Sequence, residues 1–386
     1  MQKKVIALAV AGLVSGAAFA QSNVTVYGVM DAGYVYGTGE RTGTLNKNTN
    51  FSGIQSGLLG GSRIGFRGEE GLGNGLKAIF TAEYALDIDT NQGIGTGGAS
   101  DTTLRARQTW VGLQHAKLGT VTLGRQYAPA FAAAGRNDAF GSSTGIGSLA
   151  RLTLTGNNTI SGTNGGRVDN SIAYRSPTWS GFTVSGITGF GETASPATAA
   201  GDGNSRGANQ LYGAGLNYAN GPLNIDAVYH TRRDVTALQA NGMVGASALA
   251  TWTSTQDSIN EWYLGGSYDF KVVKISGSYQ EQDDNNGTSR TEASNKLWQV
   301  GAVMPVFGNG KIHAGYSRQS WENTGGGDTS AWNLMYSHSL SKRTTLYTGF
   351  TRFDMDNNAR AAASNSGVGG IGEKNTTYAA GINHAF

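Results

Sequence analysis

The chain has no cysteine and only 5 prolines in 386 residues. Without cysteine there are no disulfide staples and no thiolate metal sites. Long apolar runs are also missing. The stretch from Val5 to Val14 falls short of the roughly twenty apolar residues that a membrane-spanning helix requires, and no later segment is longer. Such a chain is either soluble or crosses a membrane as strands. Excess charge of one sign is absent too: the formal net charge is +3, of which Lys3 and Lys4 supply two, so no basic surface for nucleic acid is expected. His115, His230, His313, His338 and His384 are scattered singly and make no zinc pattern, and no cofactor or metal is expected.

What is present is glycine, 60 residues of it, and this fits a Gly-rich all-β chain better than a helical enzyme. Lys3 and Lys4, the apolar run and Ala18-Phe19-Ala20 read as a secretory signal over residues 1–20, with the mature chain beginning at Gln21. From Asn23 the pattern has period two. Val24, Val26, Met30, Ala32, Tyr34 and Tyr36 share one face, and Thr25, Tyr27, Asp31 and Gly33 share the other. The same alternation sets Ile64 and Phe66 against Arg63 and Arg67, and Ala78, Phe80, Tyr84 and Leu86 against Lys77, Thr81 and Glu83. A polar face carrying arginine has to meet water or partner charges.

Seven tight connections, among them Gly71–Gly75, Asn220–Pro222 and Gly308–Gly310, alternate with longer Gly/Ser/Thr/Asn-rich stretches such as Thr38–Gly57, Asp89–Thr102 and Asp234–Gln256. This alternation predicts about sixteen antiparallel strands closed as a transmembrane β-barrel over residues 21–386. A soluble β-sandwich or β-helix also alternates, but its loops need not alternate so regularly in length. Aromatic residues near strand ends, including Tyr34, Tyr84, Trp110, Trp298, Trp332 and Phe350, are placed as interfacial girdles require. Between Tyr127 and Arg167 lies a stretch without periodicity, about residues 128–166, too long for an ordinary connection and read as a loop folded into the barrel to narrow a pore. The last strand alternates from Tyr378 to Phe386, and its terminal aromatic is the expected signal for the barrel-assembly machinery.

Six segments together resemble the trimeric general-diffusion porins of Gram-negative outer membranes, in their β-proteobacterial form. They are Ser22–Asp31, Gly61–Gly68, Arg107–Leu113, Leu123–Tyr127, Arg167–Tyr174 and the terminal Phe386. The resemblance implies an outer-membrane homotrimer, in contact with lipid and lipopolysaccharide, whose third external loop forms the constriction. It also implies wall arginines facing acids on that loop. Motif by motif, the arginines are Arg63, Arg107 and Arg167; the period-two reading puts Arg67 on the same face as Arg63 and makes Glu83 a lumen carboxylate. Arg107 shares parity with apolar Val111 and Leu113, so a bulge or a buried subunit contact has to intervene. The loop acid is Asp138 in Asn137–Gly141, with Ala139 where the family often has Glu.

The expected function is a passive, weakly anion-selective, water-filled channel for small hydrophilic solutes and ions, since rings of Arg or Lys favour anions in a narrow gap. If the arginines pair with Glu69, Glu70, Glu83 or Asp169, the pore is closer to neutral. A substrate-preferring channel for phosphate or organic anions is the alternative within this class. A barrel enzyme needs a Ser/His/acid group, and no histidine lies in a long loop. An adhesin or phage receptor would act through the long loops. The G-x-G-x-x-G matches at Gly93–Gly98 and Gly367–Gly372 and the G-x-S-x-G match at Gly141–Gly145 lack the strand-to-helix setting that would give them chemistry. Asp87, Asp89 and Asn91 open like a calcium loop, but Gly98 stands where a bidentate Glu is needed.

Overall fold

A computed structural model describes residues 23–39, 49–90, 105–191, 210–233, 235, 258–284, 294–322, 327–356 and 374–386. The expected signal segment, the two G-x-G-x-x-G matches and Asn91 lie outside these residues. Seventeen strand segments run in chain order: β1 (Asn23–Gly39), β2 (Thr49–Ser56), β3 (Arg63–Gly73), β4 (Leu76–Ala85), β5 (Ala106–His115), β6 (Gly119–Tyr127), β7 (Arg167–Arg175), β8 (Phe182–Gly189), β9 (Gln210–Asn220), β10 (Leu223–Arg233), β11 (Ile259–Asp269), β12 (Lys274–Asp284), β13 (Asn295–Val306), β14 (Gly310–Trp321), β15 (Asp328–Ser339), β16 (Thr344–Met355) and β17 (Lys374–Ala385). One edge of β1 pairs with β2 over Ala32–Gly39 and with β3 over Asn23–Val29, so β2 and β3 form a single interrupted stave. The other edge of β1 pairs with β17, from Val29 opposite Ala385 to Gly39 opposite Asn375. The remaining neighbours pair antiparallel in sequence, and the sixteen staves close into a barrel with no free edge.

The faces are those that period two predicts. Val24, Val26, Met30, Tyr34 and Tyr36 are exposed on the outside, while Asp31 and Val35 on the inner face of β1 are fully buried. Charged and amide side chains are buried inside the ring, including Glu83, Asp226, His230, Glu261 and Gln282. A soluble sandwich would reverse this arrangement. The connections after β3, β5, β7, β9, β11, β13 and β15 are short. Asn74 and Lys271 take the left-handed conformation at two of them, with φ of 50° and 70°. Among the described residues no helix is long and apolar enough to cross a membrane.

Three expectations change. Trp110 does not join the outer girdle: it lies opposite Thr81, on the inner face, because Val111 and Leu113 point outward. The first loop is shorter than Thr38–Gly57, since Thr49–Ser56 is strand, and the break in the stave falls instead at residues 57–62. The parity conflict at Arg107 is resolved by a bulge. Glu83 pairs with Gln108 and Tyr84 with Ala106, so Arg107 is an extra residue that turns inward without moving Val111 and Leu113 from the outer face.

Residues 128–166, between β6 and β7, lie inside the barrel and carry two short helices, α1 (Pro129–Arg136) and α2 (Leu149–Thr155). Pro129 suits the first turn, where no intrahelical N–H partner is needed. Apolar patches on the loop meet apolar patches on the inner wall at three places. Ala130, Ala133 and Ile160 pack on Val228 and Tyr263. Leu149 and Leu152 pack on Leu297, Ala331 and Phe353. Phe140 and Ile146 pack on Val35, Met335 and Tyr347. Polar clamps fix the same path. The Glu261 carboxylate accepts the Thr159 and Ile160 backbone N–H groups, at 2.9–3.1 Å, and the Thr159 hydroxyl, while Asp226 accepts Arg136 and the Asn137 amide.

Candidate channel constriction

Glu83 organises the wall of the lumen. It stands on the inner face of β4, is 4 % exposed, and is reached by side chains from four other strands. Arg107 Nε donates to Oε1 at 2.8 Å, and Arg63 Nε lies 3.5 Å from Oε2. The Tyr127 hydroxyl donates to Oε1 at 3.2 Å and the Tyr27 hydroxyl to Oε2 at 3.1 Å. Tyr27 reaches it by lying across Gly65, where a Cβ would come within 2.5 Å of its ring. A carboxylate bridging two guanidinium groups holds both arginines side by side, which their mutual repulsion would otherwise prevent.

Arg167 begins β7 next to this group. Its guanidinium lies 5.7 Å from the ring centres of both Tyr127 and Phe131, and those two rings stack at 3.7 Å. One cavity of about 730 Å³ is lined by Arg63, Arg105, Arg107 and Arg167, together with the acids Glu83 and Asp87. The inner loop lines it with Phe131, Gly135, Gly141, Ser142, Thr144, Leu154, Gly162 and Thr163, none of them charged. The residues at the break in the second stave, Gly57 and Leu59 to Ser62, complete the rim. Four cations against two acids leave the cavity positive.

Of the residues singled out in the sequence, Arg63, Arg107, Arg167 and Glu83 share this cavity. Arg67 does not line it; it is exposed, two inward positions beyond Arg63 on β3, with its guanidinium 5.3 Å from the centre of the Tyr27 ring. Asp138 is also elsewhere. Its carboxylate accepts the backbone N–H groups of Phe140 (3.0 Å) and Ser142 (2.8 Å), capping its own turn. Desolvation pushes the Asp138 carboxyl up from its ordinary value, and these two backbone donors pull against that rise. It lines a second cavity of about 520 Å³ with Asp269, Lys271, Lys274, Lys311 and His313. Ala139 is buried there with its Cβ against Gly301, and a longer acid at this position would collide with the wall.

The pairing of wall arginines with acids is partial. Glu83 neutralises one charge of Arg63 and Arg107 together, Asp169 pairs with Arg125, and Glu69 pairs with Lys77 at 2.9 Å. Sequence patterns assign no place in this site to Arg105, Asp87, Tyr27 or Tyr127. Tyr27 reads only as an inward position, Tyr127 shares parity with the outward Val121 and Leu123 and turns inward past the register shift between Gly124 and Gln126, and Arg105 and Asp87 lie beyond the strand ends, where period two no longer assigns a face. Among the described residues no cluster of three or more His, Asp or Glu side chains could hold a metal ion.

The comparisons with known proteins agree with the barrel fold. The sequence matches the family model described as Gram-negative porin over residues 7–358. It is 33% identical to outer membrane porin protein 32 of Delftia acidovorans over 395 aligned positions, covering 100% of both chains. It is 29% identical to an outer membrane porin protein of Bordetella pertussis, over 90% of this chain and 93% of that one. Among solved structures, the anion-selective porin from Comamonas acidovorans superposes with a TM-score of 0.72 at 26% identity, covering 95% of this chain and 100% of that one. The Vibrio cholerae outer membrane protein OmpT, in vitro folded, shares the fold with a TM-score of 0.65 at 15% identity, over 95% of this chain and 98% of that one. Closed barrel, inverted burial and family match together establish that this chain belongs to the Gram-negative porin family and is an outer-membrane channel.

Proposed function

We propose that the channel is weakly anion-selective, passing small hydrophilic solutes and ions through a constriction bounded by the arginine wall and the inner loop 128–166. The observation that carries this reading is the charge on the narrow cavity: Arg63, Arg105, Arg107 and Arg167 against Glu83 and Asp87, with an uncharged loop face opposite. Low-dielectric walls focus that field on a passing ion. Lys271, Lys274 and Lys311 around the second cavity extend the positive potential along the lumen, where Asp138 and Asp269 offset it in part. The likeness to the anion-selective porin from Comamonas acidovorans supports the same sign.

The working form is a homotrimer in outer-membrane lipid and lipopolysaccharide, inserted by the barrel-assembly machinery through its C-terminal strand after removal of residues 1–20. A trimer form is recorded for the Vibrio cholerae protein of the same fold. No catalysis and no cofactor are part of the reading. The test is the zero-current potential of the refolded protein in a planar bilayer across a salt gradient. Anion preference that weakens in Arg107→Ser is the expected result. Cation preference in the unaltered protein, or no channel steps, overturns the reading.

A further inference from the structure

The break in the second stave is built around one buried carboxylate. Asp31, on the inner face of β1, has no exposed surface. Its Oδ1 accepts the Leu58 backbone N–H at 2.9 Å and the Tyr347 hydroxyl at 2.7 Å. Its Oδ2 accepts the N–H groups of Leu59 (3.2 Å) and Gly60 (3.0 Å) and the Asn383 side-chain amide (2.7 Å). Three successive backbone donors thus converge on one anion, a concavity of the kind that binds negative charge without a cation. The Asp31 backbone holds both ends of the same segment: its carbonyl accepts Gly57 N–H at 2.8 Å and the Ser62 hydroxyl at 3.0 Å.

Residues 57–62 in turn touch both sides of the constriction. Toward the inner loop, the Leu58 carbonyl accepts the Ser143 hydroxyl (2.6 Å) and the Gly145 N–H (2.9 Å), and the Gly57 carbonyl accepts the Thr144 hydroxyl at 3.3 Å. The Leu58 side chain is buried with Phe140 and Ile146 of that loop. Toward the wall, the Gly61 carbonyl accepts Arg63 Nη1 at 3.0 Å, and a Cβ on Gly61 would stand 2.9 Å from Arg107 Nη1. One short strap therefore spans from the loop to the arginines.

We infer that Asp31 is a positioning residue for the constriction: by anchoring the strap at residues 57–62 it fixes the inner loop relative to the arginine wall and so sets a single aperture. The inference rests on the channel reading above, since an aperture matters only if the loop bounds the conducting path. Asp31→Asn replaces one accepting oxygen with an amide that faces N–H donors, so the strap loses its anchor while the side-chain volume is kept. Ser143→Ala/Thr144→Val removes both side-chain hydrogen bonds between strap and loop, leaving the Gly145 N–H bond and Asp31 untouched.

Single-channel currents of both variants, refolded and checked for the heat-resistant barrel band on gels, test this. Both variants are expected to leave the one-level open state, with time spent in other conductance levels rising about tenfold, the factor that one lost hydrogen bond to a charged acceptor, or two to neutral carbonyls, is worth. Steady single-level currents in Ser143→Ala/Thr144→Val overturn the inference, whether Asp31→Asn folds or not. If Asp31→Asn alone fluctuates, Asp31 acts on barrel closure through Tyr347 and Asn383, and the strap is not the link. If Asp31→Asn fails to fold, new levels in the loop-side variant still support the inference. An unaltered protein without channel steps would instead refute the channel reading itself.

Discussion

Replacing Glu83 with Gln removes the acid that bridges Arg63 and Arg107 while keeping its shape. The cavity then carries four guanidinium groups against Asp87 alone, one positive charge more than before. The gain can be sized. At roughly 6 Å from a passing ion and an effective dielectric of roughly 40, one charge is worth about 1.4 kcal/mol. A Debye length of about 8 Å in 0.15 M salt reduces this to about 0.65 kcal/mol. Anions gain that amount and cations lose it, so the anion-to-cation permeability ratio should rise about tenfold. The arginines remain charged, because guanidinium groups do not release their proton in proteins. Their side chains are 28% and 13% exposed, so water replaces part of the lost pairing, and the structural cost should stay at about 1–3 kcal/mol. The assay is the reversal potential at 0.15 M mean salt, with the barrel band confirming the fold. An unchanged ratio, or a shift toward cations, in a folded Glu83→Gln channel would refute the reasoning that this cavity sets selectivity.

Asp138→Asn should raise anion preference by less than Glu83→Gln, because Asp138 lines the lysine cavity and not the arginine one, and it should cost about 1–2 kcal/mol from its two turn hydrogen bonds; reversal potential and thermal unfolding measure the two effects. Neutralising Lys274 and Lys311 together should lower single-channel conductance in chloride at low salt and leave it nearly unchanged at 1 M, where the Debye length is about 3 Å. Gly28→Ala places a methyl 2.3 Å from the Phe386 ring and 2.6 Å from the Arg63 carbonyl, at the seam where Gly28 and Phe386 exchange backbone hydrogen bonds. Overpacking at such a site costs typically 1–3 kcal/mol, so the fraction of heat-resistant barrel after refolding should fall.

Much of the barrel can be read from the chain because lipid outside and water inside impose one rule on every strand. Val24 and Tyr34 outside, and Asp31 and Glu83 inside, follow from parity alone. The limits of the inner loop are legible for a related reason: periodicity stops at Tyr127 and resumes at Arg167, the residues where β6 ends and β7 begins. What parity cannot deliver is any site made by departing from it. Arg107 reaches the lumen through a bulge, and Trp110 faces inward within a strand whose aromatic looked like a girdle residue. The strap is a six-residue interruption in a stave, and its Gly-Leu-Leu-Gly-Gly composition resembles the end of a loop. Asp138 stands apart from the wall arginines for a physical reason: its carboxylate caps its own turn through the Phe140 and Ser142 N–H groups.

The most direct test of the central claim is to locate the ions. Crystals of the protein soaked in bromide, and separately in rubidium, can be examined by anomalous scattering. The arginine-lined account predicts the strongest lumen bromide peak between Arg63, Arg107 and Arg167 on one side and the Phe131–Thr144 face of the inner loop on the other, with no rubidium there. A rubidium peak at that position, with bromide confined to the mouths of the pore, would contradict it.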